Sequence, residues 1–258
     1  MTIPGVVFVL ASFAGFWWMR HTKSELHAMI GTETLPIPEL EDLRRVSDEL
    51  GARGGFRKTA EVVGAAHPRP EGPLISELSK TECVWYSYRV DRHYEHVEYR
   101  DGKRRTSKRT EKVAEHTTGD GYAVIDPDGN TIGVDPGGTK PDGTEQTVNR
   151  FEPHRGDGGG ITIFGINVGG GGGGSTIGFE YREWLIRTGR PLYILGEVHD
   201  KIGPLVIAKP EKGGHFIIST RTEAELRESR TKRHQWLAIG VIAAFALGAA
   251  LTIWGIVR

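Results

Sequence analysis

The feature that most constrains this chain is an uninterrupted apolar run near its C-terminal end. Residues 236–257 (WLAIGVIAAFALGAALTIWGIV) comprise 22 residues without a charge, and Lys232, Arg233 and Arg258 lie on either side. A bilayer core about 30 Å thick needs about 20 apolar residues of helix, at about 1.5 Å per residue. Because the run has no polar face, a buried helix of a soluble core explains it poorly. We therefore predict a transmembrane helix over residues 236–257.

A second apolar run lies at the start of the sequence. Residues 3–19 contain no charge and end in a tryptophan pair, Trp17 and Trp18. The alternative is a signal peptide that is removed, but the run lacks a basic n-region and the tryptophans make a poor cleavage context. Indole rings favour the membrane interface, where both runs place tryptophan. The sequence therefore predicts a second, retained transmembrane helix over residues 1–19.

Small residues recur along one face of the second run. Gly240, Ala244 and Gly248 are spaced by four residues, so they share a helix face. Small residues allow helix backbones to approach closely, and Ala11 and Gly15 offer a matching surface on the first run. The alternative is that glycine and alanine are simply common in membrane helices. We predict packing between the two helices along these positions.

Basic residues next to the two runs predict the orientation. The central part of the chain supplies most of them: Arg20, Lys23, Arg227, Arg230, Lys232 and Arg233. Lysine and arginine near membrane spans are retained on the cytoplasmic side. The sequence therefore predicts a two-pass membrane protein whose central domain is cytoplasmic and whose termini both lie outside.

The region between the runs is predicted to be mainly β. Residues 20–50 form a helical linker, residues 51–226 a β-rich domain, and residues 227–235 a basic juxtamembrane segment. Many short strands with turns every 8–12 residues favour a barrel-like, OB-like domain over a doubly wound sheet. The predicted strands are residues 59–65, 83–90, 111–117, 122–126, 131–134, 179–184, 192–198, 204–208 and 215–219.

Composition narrows the function classes. The 33 Lys and Arg balance 33 Asp and Glu, which excludes a globally basic nucleic-acid binder. One cysteine excludes a disulfide framework and any zinc site built from several cysteines. The glycine excess is concentrated in residues 156–174, which we interpret as a surface loop because the phosphate-binding G-x-x-x-x-G-K-[ST] pattern is missing. No cofactor is expected.

Residues able to support catalysis are few. Cys83 lies in a predicted strand beside Val84 and Trp85, which favours a buried core position over a nucleophile. His93 and His96 are three residues apart, so a strand places them on opposite faces, which disfavours a metal site. One turn region contains three aspartates: Asp126, Asp128 and Asp135. Turn formation explains this cluster, and a calcium site is the alternative. The sequence predicts neither a catalytic residue nor a metal site.

A cluster of positive charge lies in residues 100–112, where seven of thirteen residues are basic. We predict a solvated hairpin tip, and the alternative is a tip that contacts anionic lipid headgroups or a protein partner. Nucleic acid is disfavoured because the neighbouring Tyr94 and Tyr99 are too few to stack bases. The candidate contact residues are Arg104, Arg105, Lys108 and Arg109.

Four segments, in order, resemble a known family. They are residues 74–90 (LISELSKTECVWYSYRV), 126–138 (DPDGNTIGVDPGG), 180–197 (EYREWLIRTGRPLYILGE) and 216–226 (FIISTRTEAEL). Together with the flanking apolar runs they are similar to the GIDE domain, also called the beside-a-membrane domain, of the MULAN/MAPL mitochondrial membrane E3 ubiquitin ligases and their prokaryotic relatives. The resemblance covers roughly residues 50–226.

The resemblance implies a RING finger, for which the sequence can be inspected. Ligases of this family use a C-terminal RING finger that holds two zinc ions through Cys and His side chains. Here the sequence ends at Arg258 and Cys83 is its only cysteine, so its residues predict no RING. Animal members place the domain in the intermembrane space, in conflict with the cytoplasmic location predicted from charge.

Three functions remain after these arguments. The residues favour a membrane-anchored, non-catalytic interaction module that binds a protein partner or senses the membrane surface. The resemblance alone implies an E3 ubiquitin transferase-like role in protein ubiquitination. The basic segment indicates an anionic-lipid-binding module. The bilayer and an unidentified protein are the expected partners, and a homo-oligomer remains open.

Overall fold

The computed structural model describes residues 2–100, 102–154, 161–163, 166–168 and 175–257. The elements of this part of the chain are α1 (Thr2–Gly31), α2 (Ile37–Glu49), β1 (Arg57–His67), β2 (Leu74–Ile75), β3 (Glu82–Cys83), β4 (Trp85–Arg100), β5 (Lys103–Thr117), β6 (Tyr122–Ile125), β7 (Thr131–Val134), β8 (Glu145–Pro153), β9 (Ile161–Ile163), β10 (Ile166–Val168), β11 (Thr176–Ile186), β12 (Pro191–His199), β13 (Val206–Ala208), β14 (Ile217–Ser219) and α3 (Glu223–Val257).

Five strands form a closed barrel. Its order is β1-β6-β7-β13-β12, and β12 pairs back onto β1 over nine residue pairs. Neighbours in the barrel are antiparallel, except that β7 and β13 are parallel. The short strand β14 pairs with β12 beside the barrel. A closed barrel has no unpaired strand edge, which agrees with the barrel-like fold predicted from the short, regularly spaced strands.

The barrel is filled by alternate side chains of its strands and closed by α2. Val124, Ile194 and Ile207 are fully buried inside it. Helix α2 begins after Pro36 with a proline in its first turn, and its Leu40 packs into the same core. Burying one such aliphatic side chain contributes about 1.5–3 kcal/mol, so burial is the main force that assembles the barrel.

A second sheet is built from chain segments inserted between barrel strands. The order of this sheet, which we call the insertion sheet, is β5-β4-β11-β8, and all its pairs are antiparallel. Strands β4 and β5 lie between β1 and β6 in sequence, and β8 and β11 lie between β7 and β12. The insertion sheet differs from the sequence prediction in that β4 and β5 are much longer and β8 is new.

Beyond the four-stranded part, β4 and β5 continue as a pair. The pairing between β11 and β4 ends at Thr176 and Tyr94, and Ser175 accepts a last hydrogen bond from the Glu95 backbone N–H at 2.8 Å. Within the described part of the chain, residues 96–100 and 103–107 therefore pair only with each other, and we call them the ribbon. The described residues of the glycine-rich segment 156–174 form the β9–β10 hairpin, and the rest of that prediction lies outside the described residues.

The two long helices lie against one another. Helix α3 is the one helix in the described residues that contains a segment long and apolar enough to cross a membrane, within Glu223–Gly255. Helix α1 packs along α3 and contains a shorter apolar stretch, Val7–Arg20. The predicted juxtamembrane segment 227–235 continues α3 without a break. One membrane-crossing helix is thus supported by length and composition, and the first predicted span stays a prediction.

Candidate functional site

The predicted basic contact residues lie along β5, the outer strand of the insertion sheet, with Arg104 and Arg105 next to the turn between β4 and β5 and Lys108 and Arg109 farther along the strand. All four are exposed: Arg104, Arg105, Lys108 and Arg109. Because successive residues of a strand point to opposite faces, Arg104 and Lys108 share one face and Arg105 and Arg109 share the other. The positive charge is therefore divided between both faces of one strand.

Acidic residues of β4 lie directly across from two of these cations. Glu95 is opposite Lys108, and Glu98 is opposite Arg105. Directly opposite side chains are about 4.5–5.5 Å apart at Cβ, and opposite charges at that separation contribute up to about 1 kcal/mol. Among the described residues, none of the four predicted cations has a carboxylate within 4 Å. They are therefore available to an outside ligand.

A groove beside strands β6, β7 and β13, lined in part by core residues of the barrel, is a site that the sequence did not predict. It has a volume of about 900 Å³, within the range of small-molecule and peptide sites. Its walls are mostly apolar, and Ile202, 74% exposed, lies on its rim. We call it the barrel groove, and its central residues are Arg69, Tyr122, Gly133, His199, Leu205 and Val206.

Polar atoms without a partner surround this groove. Tyr122 Oη, His199 Nδ1 and Arg69 Nε are each buried and form no hydrogen bond within the described part of the chain. Burial raises the pKa of Tyr122, so its hydroxyl stays protonated at neutral pH. Burial, followed by the nearby Lys201 and Arg57, lowers the pKa of His199. The groove therefore has the unpaired polar atoms of Tyr122 and His199 beneath an apolar surface, together with the Nε of the charged Arg69, whose Nη1 contacts Asp120 at 2.8 Å.

A buried carboxylate, that of Glu183, holds in place the first of the four segments that resemble the family, residues 74–90. Glu183 of β11 accepts hydrogen bonds from the backbone N–H groups of Leu78 (2.6 Å) and Ser79 (3.0 Å), and from the hydroxyls of Ser79 (2.5 Å) and Thr147 (3.1 Å). Burial opposes its ionisation, but these hydrogen bonds outweigh burial and lower the pKa of Glu183. The Ser-Glu-Leu-Ser loop is therefore a structural tie to the insertion sheet.

The cysteine lies beside this tie. Cys83 is fully buried, as its predicted strand position implied. Burial, with a further contribution from the charge of Glu183, raises the pKa of the Cys83 thiol to about 12. A thiol with such a pKa is protonated at neutral pH, and the thiolate is the nucleophilic form. Cys83 is therefore inert in this structure.

Two of the remaining polar candidates, His93 and Asp126, have structural partners. His93 Nε2 lies 3.2 Å from Glu180 Oε2. The Asp126 carboxylate accepts hydrogen bonds from the backbone N–H groups of Asp128 (3.0 Å) and Asn130 (2.8 Å), which closes the β6–β7 turn. No group of three or more His, Cys, Asp or Glu side chains with a metal-binding arrangement occurs in the described ranges.

The predicted helix-packing residues lie on one face of α3 and differ in exposure, and Gly240 and Ala244 line a crevice between the helices together with Ala11 and Gly15. Gly248 is buried and Ala244 half-buried, whereas Gly240 is exposed, and a Cβ there would meet no atom within 4 Å. The helices also approach closely at Gly15 of α1, because a Cβ on Gly15 would be 2.7 Å from Val241 Cγ2 of α3.

The base of the helix pair is attached to the barrel by buried contacts. Arg227 Nη2 donates a hydrogen bond to the Met29 carbonyl at 2.8 Å, which joins α3 to α1. Met29 and Leu226 pack with barrel residues Tyr193 and Leu195 in one apolar cluster. The helices and the barrel wall therefore form one continuous core at this junction.

A buried carboxyl lies next to this junction. Glu61 of β1 is 1% exposed and accepts hydrogen bonds from Tyr193 Oη at 2.5 Å and Thr34 Oγ1 at 3.0 Å. Burial raises the pKa of Glu61, although these two hydrogen bonds act in the opposite direction. No local sequence pattern marks this residue, because its partner Tyr193 lies 132 residues away.

Comparison with known proteins identifies the family. The model of the GIDE family, described as E3 ubiquitin ligase, matches residues 92–253, more than half of the chain. This match covers β4 through most of α3 and includes three of the four segments that resembled the family in sequence. No curated protein and no solved structure matches the chain. The chain therefore belongs to the GIDE family.

Proposed function

We propose that this protein is a membrane-anchored, non-catalytic interaction module of the GIDE family that binds a protein partner close to the membrane surface. The observation that supports this most directly is the buried junction between barrel and helices. Tyr193 and Leu195 of the barrel share an apolar cluster with Met29 and Leu226 of the helices. A domain fixed in this way is held at a defined distance and angle from the bilayer.

In this proposal α1 also crosses the membrane, which gives a two-pass anchor. Its packing along α3 and the apolar stretch Val7–Arg20 support this arrangement. The basic residues at the inner ends of both helices favour a cytoplasmic central domain with both termini outside. The barrel is proposed to be OB-like, which its five strands and the parallel β7–β13 pair support.

Crosslinking of the full-length protein in its native membrane, followed by purification and mass spectrometry, tests the proposal. We expect a reproducible protein partner that is lost when residues 56–220 are deleted and retained when exposed barrel-side cations such as Lys209 are replaced by Gln. Recovery of crosslinked copies of this chain alone would favour a homo-oligomer. Substrate turnover by the purified protein would contradict a non-catalytic role.

A role in a ubiquitin-ligase system is the second candidate, and the family match supports it. In that case the module would position a substrate or another ligase component, since fold and family alone do not establish chemistry. Ubiquitin transfer stimulated by an E2 enzyme, measured with the purified protein together with its zinc content, tests the point. Ubiquitin transfer together with stoichiometric zinc would establish a ligase. The absence of both transfer and zinc would remove this candidate.

A further inference from the structure

The outer edge of β5 is the longest unpaired strand edge in the described residues. β5 has 15 residues and pairs only with β4, whereas β8, at the opposite edge of the insertion sheet, has nine. Every residue from 103 to 112 is exposed. Half of the backbone N–H and C=O groups of an edge strand point away from the sheet and can pair with a further strand.

This edge has a strong charge bias. Six of its ten residues are cations and Glu111 is its only acid: Lys103, Arg104, Arg105, Lys108, Arg109 and Lys112. Two such edges repel one another, so the charge disfavours pairing between copies of this chain. The same charge favours an incoming strand that has carboxylates.

The division of charge between two faces distinguishes the classes of ligand. A lipid surface or a nucleic-acid backbone contacts one face of a flat strand, which would leave either Arg104 and Lys108 or Arg105 and Arg109 unused. An added β-strand has side chains on both faces, directly opposite those of β5. It also pairs with the free backbone groups, which headgroups and phosphates cannot do in register.

The β4–β5 hairpin already places acidic residues directly opposite cations on the inner side of β5. β4 places Glu95 across from Lys108 and Glu98 across from Arg105, one acid on each face. An acidic strand on the outer side of β5 would repeat this arrangement. Lys140 lies 3.0 Å from Glu115, near the C-terminal end of β5, so the free part of the edge is the region before that contact.

We propose that the outer edge of β5, residues 103–112, binds an acidic, extended segment of a protein partner by β-strand addition. The proposal rests on the proposed function as an interaction module and names the chemistry of its partner. Carboxylates on both faces of the segment meet the cations of β5, and the backbone ladder fixes the register.

The test uses the full chain in non-ionic detergent and a fluorescent peptide of about nine residues, with two Glu-Glu pairs spaced by four. Binding is followed by fluorescence anisotropy. We expect at least a tenfold loss of affinity when four cations are replaced: Arg104→Gln, Arg105→Gln, Lys108→Gln and Arg109→Gln. The matched control removes the same charge from the barrel side and should bind like the parent: Lys58→Gln, Lys209→Gln, Lys212→Gln and Arg221→Gln.

Two further probes separate strand addition from simple charge attraction. A peptide of the same sequence with alternate backbone nitrogens methylated cannot complete a ladder, and we expect it to lose at least tenfold in affinity. Hydrogen exchange of the β5 amides should slow on binding the unmodified peptide. Equal binding of both peptides, or unchanged exchange, would overturn the proposal.

The other ligand classes are outcomes of the same experiment. If anionic vesicles or a single-stranded RNA bind in a way that needs the four cations while the acidic peptide does not bind, β5 is a lipid or RNA surface and the proposal is wrong. If the crosslinked partner depends on residues 56–220 but tolerates the four substitutions, the interaction module stands and the β5 edge is not its contact. If the acidic peptide does not bind and no crosslinked partner depends on residues 56–220, both the strand-addition proposal and the interaction-module proposal are wrong.

Discussion

The strands of the barrel and of the insertion sheet alternate along the chain, but the two sheets differ in whether their edge strands are paired. In the barrel, β12 returns to β1 and leaves no open edge. In the insertion sheet, β5 and β8 both remain open, and the outer residues of β5 are charged and exposed. The comparison indicates that stability resides in the barrel, while the insertion sheet offers backbone and charge to other molecules.

The two sheets also differ in what they bury. Fifteen hydrophobic residues of the barrel strands, Val198 and Ile194 among them, are buried, whereas the ribbon contains exposed Glu98 and Tyr99. A two-stranded pair alone is marginal in water, so the ribbon depends on the sheet below it. Glu183 links the insertion sheet to the chain that follows β1, because its hydrogen bonds join β11 to Leu78 and Ser79 in the loop between β2 and β3.

The largest effect is expected from breaking that link. Glu183→Ala leaves the buried N–H groups of Leu78 and Ser79 without an acceptor and should lower the free energy of unfolding by about 3 kcal/mol. Thermal unfolding in detergent, followed by tryptophan fluorescence, measures the change. Glu152→Ala, at an exposed position of β8, should change stability by less than about 0.5 kcal/mol. An equal, small effect at both positions would show that the tie is dispensable.

A pair of identical substitutions compares the two regions directly. Val198→Ala removes fully buried methyl groups from the barrel and should cost about 2 kcal/mol, because transfer and cavity terms add. Val97→Ala in the ribbon, where the side chain is half-buried, should cost less than about 0.5 kcal/mol. Chemical denaturation gives both values. Similar losses at the two sites would contradict the assignment of stability to the barrel.

The buried Glu61 should make the free energy of unfolding of the barrel depend on pH. Because the pKa of Glu61 is raised in the folded state, its protonated form favours folding, and this contribution is lost as pH rises above the ordinary value of 4.5. Glu61→Gln should remove a dependence of at most about 1.4 kcal/mol per pH unit, the effect of one proton. Unfolding curves of both proteins from pH 4.5 to 7 test this. A difference that grows toward low pH in favour of the variant would show the opposite shift.

The smallest effect concerns two tyrosines of the barrel. Tyr122 Oη has no hydrogen-bond partner in the described part of the chain, so Tyr122→Phe should stabilise the protein by about 1 kcal/mol. Tyr193→Phe should have the opposite sign, because Tyr193 donates to the buried Glu61. Melting temperatures of the two variants provide the test. Loss of stability in Tyr122→Phe would mean that its hydroxyl has a partner.

Much of the barrel could be predicted from sequence because its signals are local. The strands at 122–126 and 131–134 were predicted within one residue, since β-branched residues flank a turn of Asp, Pro, Gly and Asn. The closed form followed from the number and spacing of short strands. Helix α2 lies within the predicted helical linker, residues 20–50, and has a proline in its first turn.

The insertion sheet was harder to predict for a physical reason. Sequence patterns reveal strands through alternation of buried and exposed residues, and the ribbon has no buried face. β8 alternates little, with most of its side chains exposed, and it was missed. The barrel groove was missed because Arg69, Tyr122 and His199 are brought together only by barrel closure. Tertiary neighbours of this kind have no signature in one sequence.

The pairing of β1 with β12 has a consequence for biosynthesis. Glu61 and its hydrogen-bond partner Tyr193 are separated by 132 residues. At about 5–20 residues per second, a ribosome needs roughly 7–26 s to deliver the second strand after the first. During that time β1 is an exposed strand with an apolar face, open to a chaperone or to premature pairing. Translation speed between these strands should therefore influence how much of the protein reaches the membrane correctly folded.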